Sequence, residues 1–152
     1  DLSRSDLVAQ TFETGFPANA RVITDNSVEY SASGTSKKYG WDIDLPESGE
    51  RVVSDAFVRS DKVFFNTMTP SVDPCSYGGS SWMMSVKSVN GGRPASSVFD
   101  YNGDGNVDGS DKVSDGSVSQ VAVGKKSGGG QKYGYFSSKK DSIHHNANQQ
   151  TC

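Results

Sequence analysis

Ser81-Trp82-Met83-Met84-Ser85-Val86-Lys87-Ser88-Val89 has a period of two: Trp82, Met84 and Val86, with Ser88 beyond them, fall on one side of an extended chain. That is the pattern of a β-strand with one covered face, and Asn90-Gly91-Gly92 closes it with a turn that needs positive φ. Upstream, Lys62-Val63-Phe64-Phe65-Asn66-Thr67-Met68 is a second strand, entered through the turn Ser60-Asp61. Glu50 to Arg59 carries Val53, Ala56, Phe57 and Val58 and reads as a third strand, broken by an irregularity near Asp55. Earlier still, Gly40-Trp41-Asp42-Ile43-Asp44-Leu45 alternates strictly, setting Trp41, Ile43 and Leu45 on one face before Pro46 and Ser48-Gly49 turn the chain. Residues 40–92 thus predict about four consecutive antiparallel strands, the make-up of a propeller blade; an ordinary meander or sandwich piece fits the same pattern.

The rest of the chain agrees with a mainly β reading. The 152 residues suit one domain or a few repeats of a larger one. Val occurs 16 times against three Leu and three Ile, and Ser is the commonest residue. This is strand-and-turn composition, without the Leu/Ala/Glu periodicity of a helical bundle. No run approaches the ~20 apolar residues of a spanning helix, so no membrane span is expected. A net charge of -3 and a pI near 5.3 predict no nucleic-acid surface, and the pairs Lys37-Lys38, Lys125-Lys126 and Lys139-Lys140 read as solvated loop charges. At the N-terminal end, Leu7-Val8-Ala9 is a strand or a short helix, and Arg21-Val22-Ile23-Thr24 a further weak apolar patch beyond the turn Gly15-Phe16-Pro17. Val118–Val123 and Lys132–Phe136 are candidate partners across Gly128-Gly129-Gly130. A β-rich body over residues 1–136 and a polar, mobile tail over 137–152 are expected.

One loop carries chemistry: Asp100-Tyr101-Asn102-Gly103-Asp104-Gly105-Asn106-Val107-Asp108-Gly109-Ser110-Asp111. Oxygen-bearing side chains occupy its first, third, fifth, ninth and twelfth positions, with Gly105 at the sixth and Val107 at the eighth. Ca²⁺ takes six to eight hard oxygens at roughly 2.3–2.6 Å, and alternating ligands in a tightly wound loop converge on one point. The expected ligands are Asp100, Asn102, Asp104, the carbonyl of Asn106, and Asp108. Asp111 is left open as a sixth ligand, because Asp is one methylene shorter than the bidentate Glu usual at the twelfth position. Val107 is expected to point inward as the loop's anchor. Four carboxylates in twelve residues are expected to repel one another and raise their own pKa values when no cation is present. The bland alternative is an Asp/Asn/Gly-rich surface turn. Gly91, Gly92 and Pro94 argue against an entering helix, so this is an isolated EF-hand-like loop and not a paired sensor.

An ordered series of residues now resembles a known family. It runs through Leu7-Val8-Ala9-Gln10-Thr11, Gly40-Trp41-Asp42-Ile43-Asp44-Leu45-Pro46, Gly49-Glu50-Arg51-Val52-Val53, Asp73-Pro74-Cys75, Gly78-Gly79-Ser80-Ser81-Trp82, Asn90-Gly91-Gly92-Arg93, and Phe99-Asp100 with the loop. Together these resemble the C-terminal domain of the PilY family (PilC in some bacteria), the adhesins associated with the tip of type IV pili, over roughly residues 6–124. The resemblance implies a propeller-like domain of a secreted protein that supports pilus assembly and surface attachment. It also implies that calcium in the loop affects pilus extension against retraction, with the family's ligands falling on Asp100, Asn102, Asp104, Asn106 and Asp108. The family domain is several times longer, so only the last one to three blades fit here. Their open sheet edges would pair with another chain or segment. The implied partners are pilin or minor pilins and a host surface, and the implied location is the bacterial cell surface.

The same sequence admits other readings. Cys75 and Cys152 have no metal-ligand spacing. Joined, they would close nearly half the chain and contribute ~4–5 kcal/mol in an oxidising compartment; two unpaired thiols remain the alternative. The chain begins at Asp1 with no Met or signal segment, as expected of a mature product or an excised fragment. No enzyme is expected: His144-His145 lie in the polar tail, Gly78-Gly79-Ser80-Ser81 is no nucleophile elbow, and Gly124-Lys125-Lys126-Ser127 lacks a phosphate loop's upstream Gly. Trp41 and Trp82 read as core and not as a sugar or peptide platform. A dockerin-like module would need two loops and helices, where one loop and strands are present. A structural subunit of an extracellular filament, with calcium as a rigid clip, is the remaining alternative.

Overall fold

Two long strands form the frame. In the computed structural model, which describes residues 1–71, 79–113, 118–119 and 122–126 (the last two segments by their backbone), β7 (Lys62–Pro70) and β8 (Gly79–Lys87) pair antiparallel from Lys62↔Lys87 to Pro70↔Gly79. The alternation expected for β8 is present: Trp82, Met84 and Val86 are buried together with Ile23, and Val63 and Phe65 of β7 pack on them. The expected broken strand is two short ones on the far side of β7, β5 (Arg51–Val52) and β6 (Phe57–Arg59). Ser60 and Asp61 carry φ of 48° and 61°, the left-handed pair that lets a two-residue turn follow the twist of β6 and β7. Phe57 stacks on Phe64 with ring centroids 5.0 Å apart.

On its other side β8 pairs with β11 (Ala122–Lys126), and beyond it lie β3 (Ala20–Ile23) and β2 (Phe12–Glu13). The sheet order is β2-β3-β11-β8-β7-β5, with β6 also on β7, so a late segment of the chain is inserted between two early ones. This order makes β3 an inner strand with all four residues buried. Ile23 faces the Trp82 cluster, whereas Ala20 and Val22 join Val113, Phe16 and Tyr101 in a second cluster. A stretch that the sequence presents as a weak patch is therefore covered on both faces.

The expectation of four consecutive antiparallel strands needs correction at its first member. β4 (Gly40–Ile43) pairs in parallel with β1 (Leu7–Gln10), from Leu7↔Gly40 to Gln10↔Ile43, in a separate two-stranded sheet. A parallel pair needs a long connection, and residues 11–39 supply it. Trp41 and Ile43 still reach the Trp82 cluster, and the Trp41 indole donates to the Ser88 carbonyl at 3.0 Å. Gly91, at φ +69°, leaves room for that ring: a Cβ there would lie 2.3 Å from it. Buried Gln10 joins the two parts, donating to the carbonyls of Asn26 and Asn90 and accepting from Thr24 and Asn26.

β9 (Lys112–Val113) pairs with β10 (Val118–Ser119), and among the described residues every pairing other than β1–β4 is antiparallel. The architecture is mainly β. Among the described residues the only helical turns are the 3-10 turns Arg4–Asp6 and Gly34–Ser36, and the sheets close into neither a barrel nor a propeller. No helix there is long and apolar enough to cross a membrane. Cys75, Cys152, His144, His145, Lys132–Phe136 and the tail 137–152 lie outside the described residues.

Candidate metal centre

The loop from Asp100 to Asp111 is wound by its own side chains. Asp100 accepts from the Gly103 N–H at 2.7 Å and the Gly105 N–H at 3.0 Å. Asn102 Oδ1 accepts from Asp104 N–H at 2.9 Å, and Asp104 Oδ1 from Asn106 N–H at 2.8 Å. Asp108 Oδ1 takes both the Ser110 N–H and its hydroxyl at 2.8 Å. These are turns of the kind Asp and Asn favour because a short side chain can replace a backbone carbonyl. Gly103 and Gly105, at φ 79° and 90°, supply the left-handed backbone between them.

Two expectations fail here for physical reasons. Val107 is 49% exposed and anchors nothing. The anchor is instead Tyr101 with Val113 of β9, which pack on Ala20 and Val22 of β3, while the Tyr101 hydroxyl donates to Asn19 at 3.2 Å. An aromatic ring in an otherwise polar loop was the available signal. The carboxyls of Asp108 and Asp111 are also not raised. For Asp108, donation by the Ser110 backbone N–H and then its hydroxyl outweighs burial and the repulsion of Asp111 and lowers the value. For Asp111, donation from the Asp108 N–H leads, joined by Asn102 and Tyr101 against desolvation, and lowers it too.

Asp111, left open as a ligand, proves to be the most enclosed residue of the loop, with no exposed surface. Its Oδ1 accepts from the N–H groups of Tyr101 at 2.7 Å and Asn102 at 3.2 Å; its Oδ2 accepts from Asp108 N–H at 2.8 Å. The Ser97 hydroxyl holds its carbonyl.

The donor chemistry fits a hard cation. Asp100, Asp104, Asp108 and Asp111 form no ion pair among the described residues, and a carboxylate that accepts one or two N–H bonds keeps further lone pairs free. The geometry brings Asp100, Asn102, Asp104 and Asp108 onto one winding but does not converge them. Among the described residues no three acidic, His or Cys groups gather closely enough to grip an ion.

A second charged cluster escaped sequence reasoning. Arg21, 8% exposed, grips Glu50 with both nitrogens at 2.6 and 3.1 Å and reaches Glu47 at 2.7 Å. Its guanidinium lies 3.9 Å from the centre of the Trp82 ring, and the Trp82 indole donates to Glu47 at 3.0 Å. Thr67 donates to Glu50, and Thr69 and Ser80 to Glu47. Burial alone would raise the Glu47 carboxyl, but the donors Trp82 and Thr69, the Arg21 charge and Ser80 together hold it below its ordinary value. Strands β3, β7 and β8 and the 46–50 turn are tied at this point. With a guanidinium over its ring, Trp82 is core and not a platform.

No family model matches the chain. It is 32% identical over 125 residues to the type IV pilus biogenesis factor PilY1 of Pseudomonas aeruginosa strain UCBPP-PA14, covering 70% of this chain and 11% of that protein. The PilY1 of strain PAO1 is 32% identical over 119 residues, covering 70% of this chain and 10% of that one. The chain thus spans about a tenth of the length of the curated relatives it matches. The crystal structure of the P. aeruginosa PilY1 C-terminal domain has the same fold at a TM-score of 0.64 and 22% identity, covering 83% of this chain and 27% of that one.

Proposed function

Since the chain is homologous to the type IV pilus biogenesis factor PilY1 and has the fold of that protein's C-terminal domain, we propose that it is a calcium-binding region of a pilus biogenesis factor and adhesin. It acts at the bacterial surface, in pilus assembly, in the balance of extension and retraction, and in attachment. The role is binding and mechanical, not catalytic. The 32% identity over 125 residues supports the pilus assignment.

One observation carries the calcium reading: a wound loop of oxygen donors whose four carboxylates have no cationic partner among the described residues. Asp100, Asn102, Asp104, the Asn106 carbonyl and Asp108 would hold the ion. Bound there, calcium supplies positive charge that neutralises the loop and stiffens the connection from Phe99 to β9 against β3. The propeller-like completion of the sheet belongs to the same reading. Val52, Val53, Phe57 and Val58 are exposed along β5 and β6, the edge at which a further segment or a pilus protein would pair.

Calorimetric titration is expected to find about one calcium per chain, in keeping with a single loop. Asp104→Ala, which removes the central carboxylate, should abolish most of that binding; unchanged affinity would refute the ligand set. In the host, deletion of the gene should lower the number of surface pili seen by electron microscopy, and unaltered piliation would refute the pilus role.

A further inference from the structure

We infer that Asp111 is the clasp of the loop and not one of its metal ligands, so that the loop stays closed before any ion arrives. This rests on the calcium reading above for its consequence, but not for its geometry. Asp111 is wholly buried, and both of its carboxylate oxygens are engaged across the loop. Oδ1 binds the N–H groups of Tyr101 and Asn102 at the loop's start, and Oδ2 binds that of Asp108 near its end. The Ser97 hydroxyl fixes the Asp111 carbonyl, and Val113, two residues on, is buried against Ala20 and Val22 beside Tyr101. Asp111 thus joins the two ends of the loop at the point where the loop joins the sheet.

A carboxylate used in this way would have to release three backbone donors, in part-buried hydrogen bonds, to turn toward an ion. That cost explains how a residue at the twelfth position, too short for the usual bidentate grip, can serve the site from outside the coordination sphere. It orients the backbone that carries Asp100, Asn102 and Asp108. Groups that position metal ligands without touching the metal are worth roughly 10–100-fold in affinity.

Two measurements on the full chain test this, with native protein and Asp111→Asn side by side. Asn keeps the shape but places an NH₂ against an N–H that the carboxylate had accepted. Amide hydrogen exchange in chelator should find Tyr101, Asn102 and Asp108 protected in the native chain and released in the variant. Luminescence lifetimes of bound Tb³⁺ in H₂O and D₂O count the waters on the metal. That count should be the same in both chains while affinity in the variant falls about tenfold or more. A count higher by about one or two waters in the variant would make Asp111 a ligand and overturn the proposal. Unprotected amides in the chelated native chain would overturn it as well. If the native chain binds no Tb³⁺ or calcium but those amides are protected, the clasp stands and only the calcium reading fails.

Discussion

At Arg21, two carboxylates meet one guanidinium beneath a tryptophan ring; in the loop from Asp100 to Asp111, four carboxylates meet only N–H and hydroxyl dipoles. Both arrangements are rich in hydrogen bonds. They differ in what neutralises the charge. The first carries its countercharge within the sheet, so its contribution is fixed once the chain folds. The second has no cationic partner among the described residues, and on the calcium reading its stability would depend on cation concentration. A buried ion pair ties strands together, whereas an unbalanced loop can respond to its surroundings.

The largest effect should come from breaking the first arrangement. Arg21→Ala leaves the fully buried Glu50 carboxylate without its cation and should cost about 3–5 kcal/mol in urea unfolding. A loss below about 1 kcal/mol, the range of an exposed pair, would mean that the network is ornamental. Next comes cation removal. At a hundred times its Kd, calcium should add about 2.7 kcal/mol, so chelation should lower the melting temperature by several degrees. Identical melts in calcium and in chelator would erase the contrast between the two regions.

Acid sharpens the comparison further. Asp108 binds its proton less readily in the folded chain than in the unfolded one, so its ionised form stabilises the fold above its ordinary pKa, and that share disappears as pH falls through the depressed folded value. In chelator, Asp108→Asn should therefore be less stable than the native chain near neutrality, and the gap should close below about pH 4. A gap that widens in acid would contradict the direction of the shift. The smallest effect is expected at the loop's rim: Val107→Ser should change stability by no more than about 0.5 kcal/mol, because that side chain is already half in water. A loss of 2 kcal/mol or so, as for a buried side chain, would restore Val107 as an anchor.

Legibility followed the range of the interaction. The alternation of Trp82, Met84 and Val86 and the break between β5 and β6 could be read because each depends on neighbours a few residues away. So could the turn at Gly91 and the sharp winding of the loop at Gly105. Arg21 could not be placed, because its partners Glu47, Glu50 and Trp82 lie 26 to 61 positions away along the chain. Asp111 was undervalued for a related reason: ligand spacing judges a side chain by its reach toward a metal and is blind to a backbone that has come round to meet it.

By itself the sequence determined strand-rich local structure, the oxygen ladder of one loop and kinship with a pilus factor, because period, turn chemistry and residue order are properties of neighbouring positions. Only the tertiary structure decided that β11 enters between β3 and β8, that β1 and β4 run in parallel, that Arg21 ties its strands, and that Tyr101 with Val113 rather than Val107 anchors the loop. Those outcomes depend on which distant surfaces exclude water together, and strand pairing over long separations is selected by the packing of the whole, not by any segment's own preference.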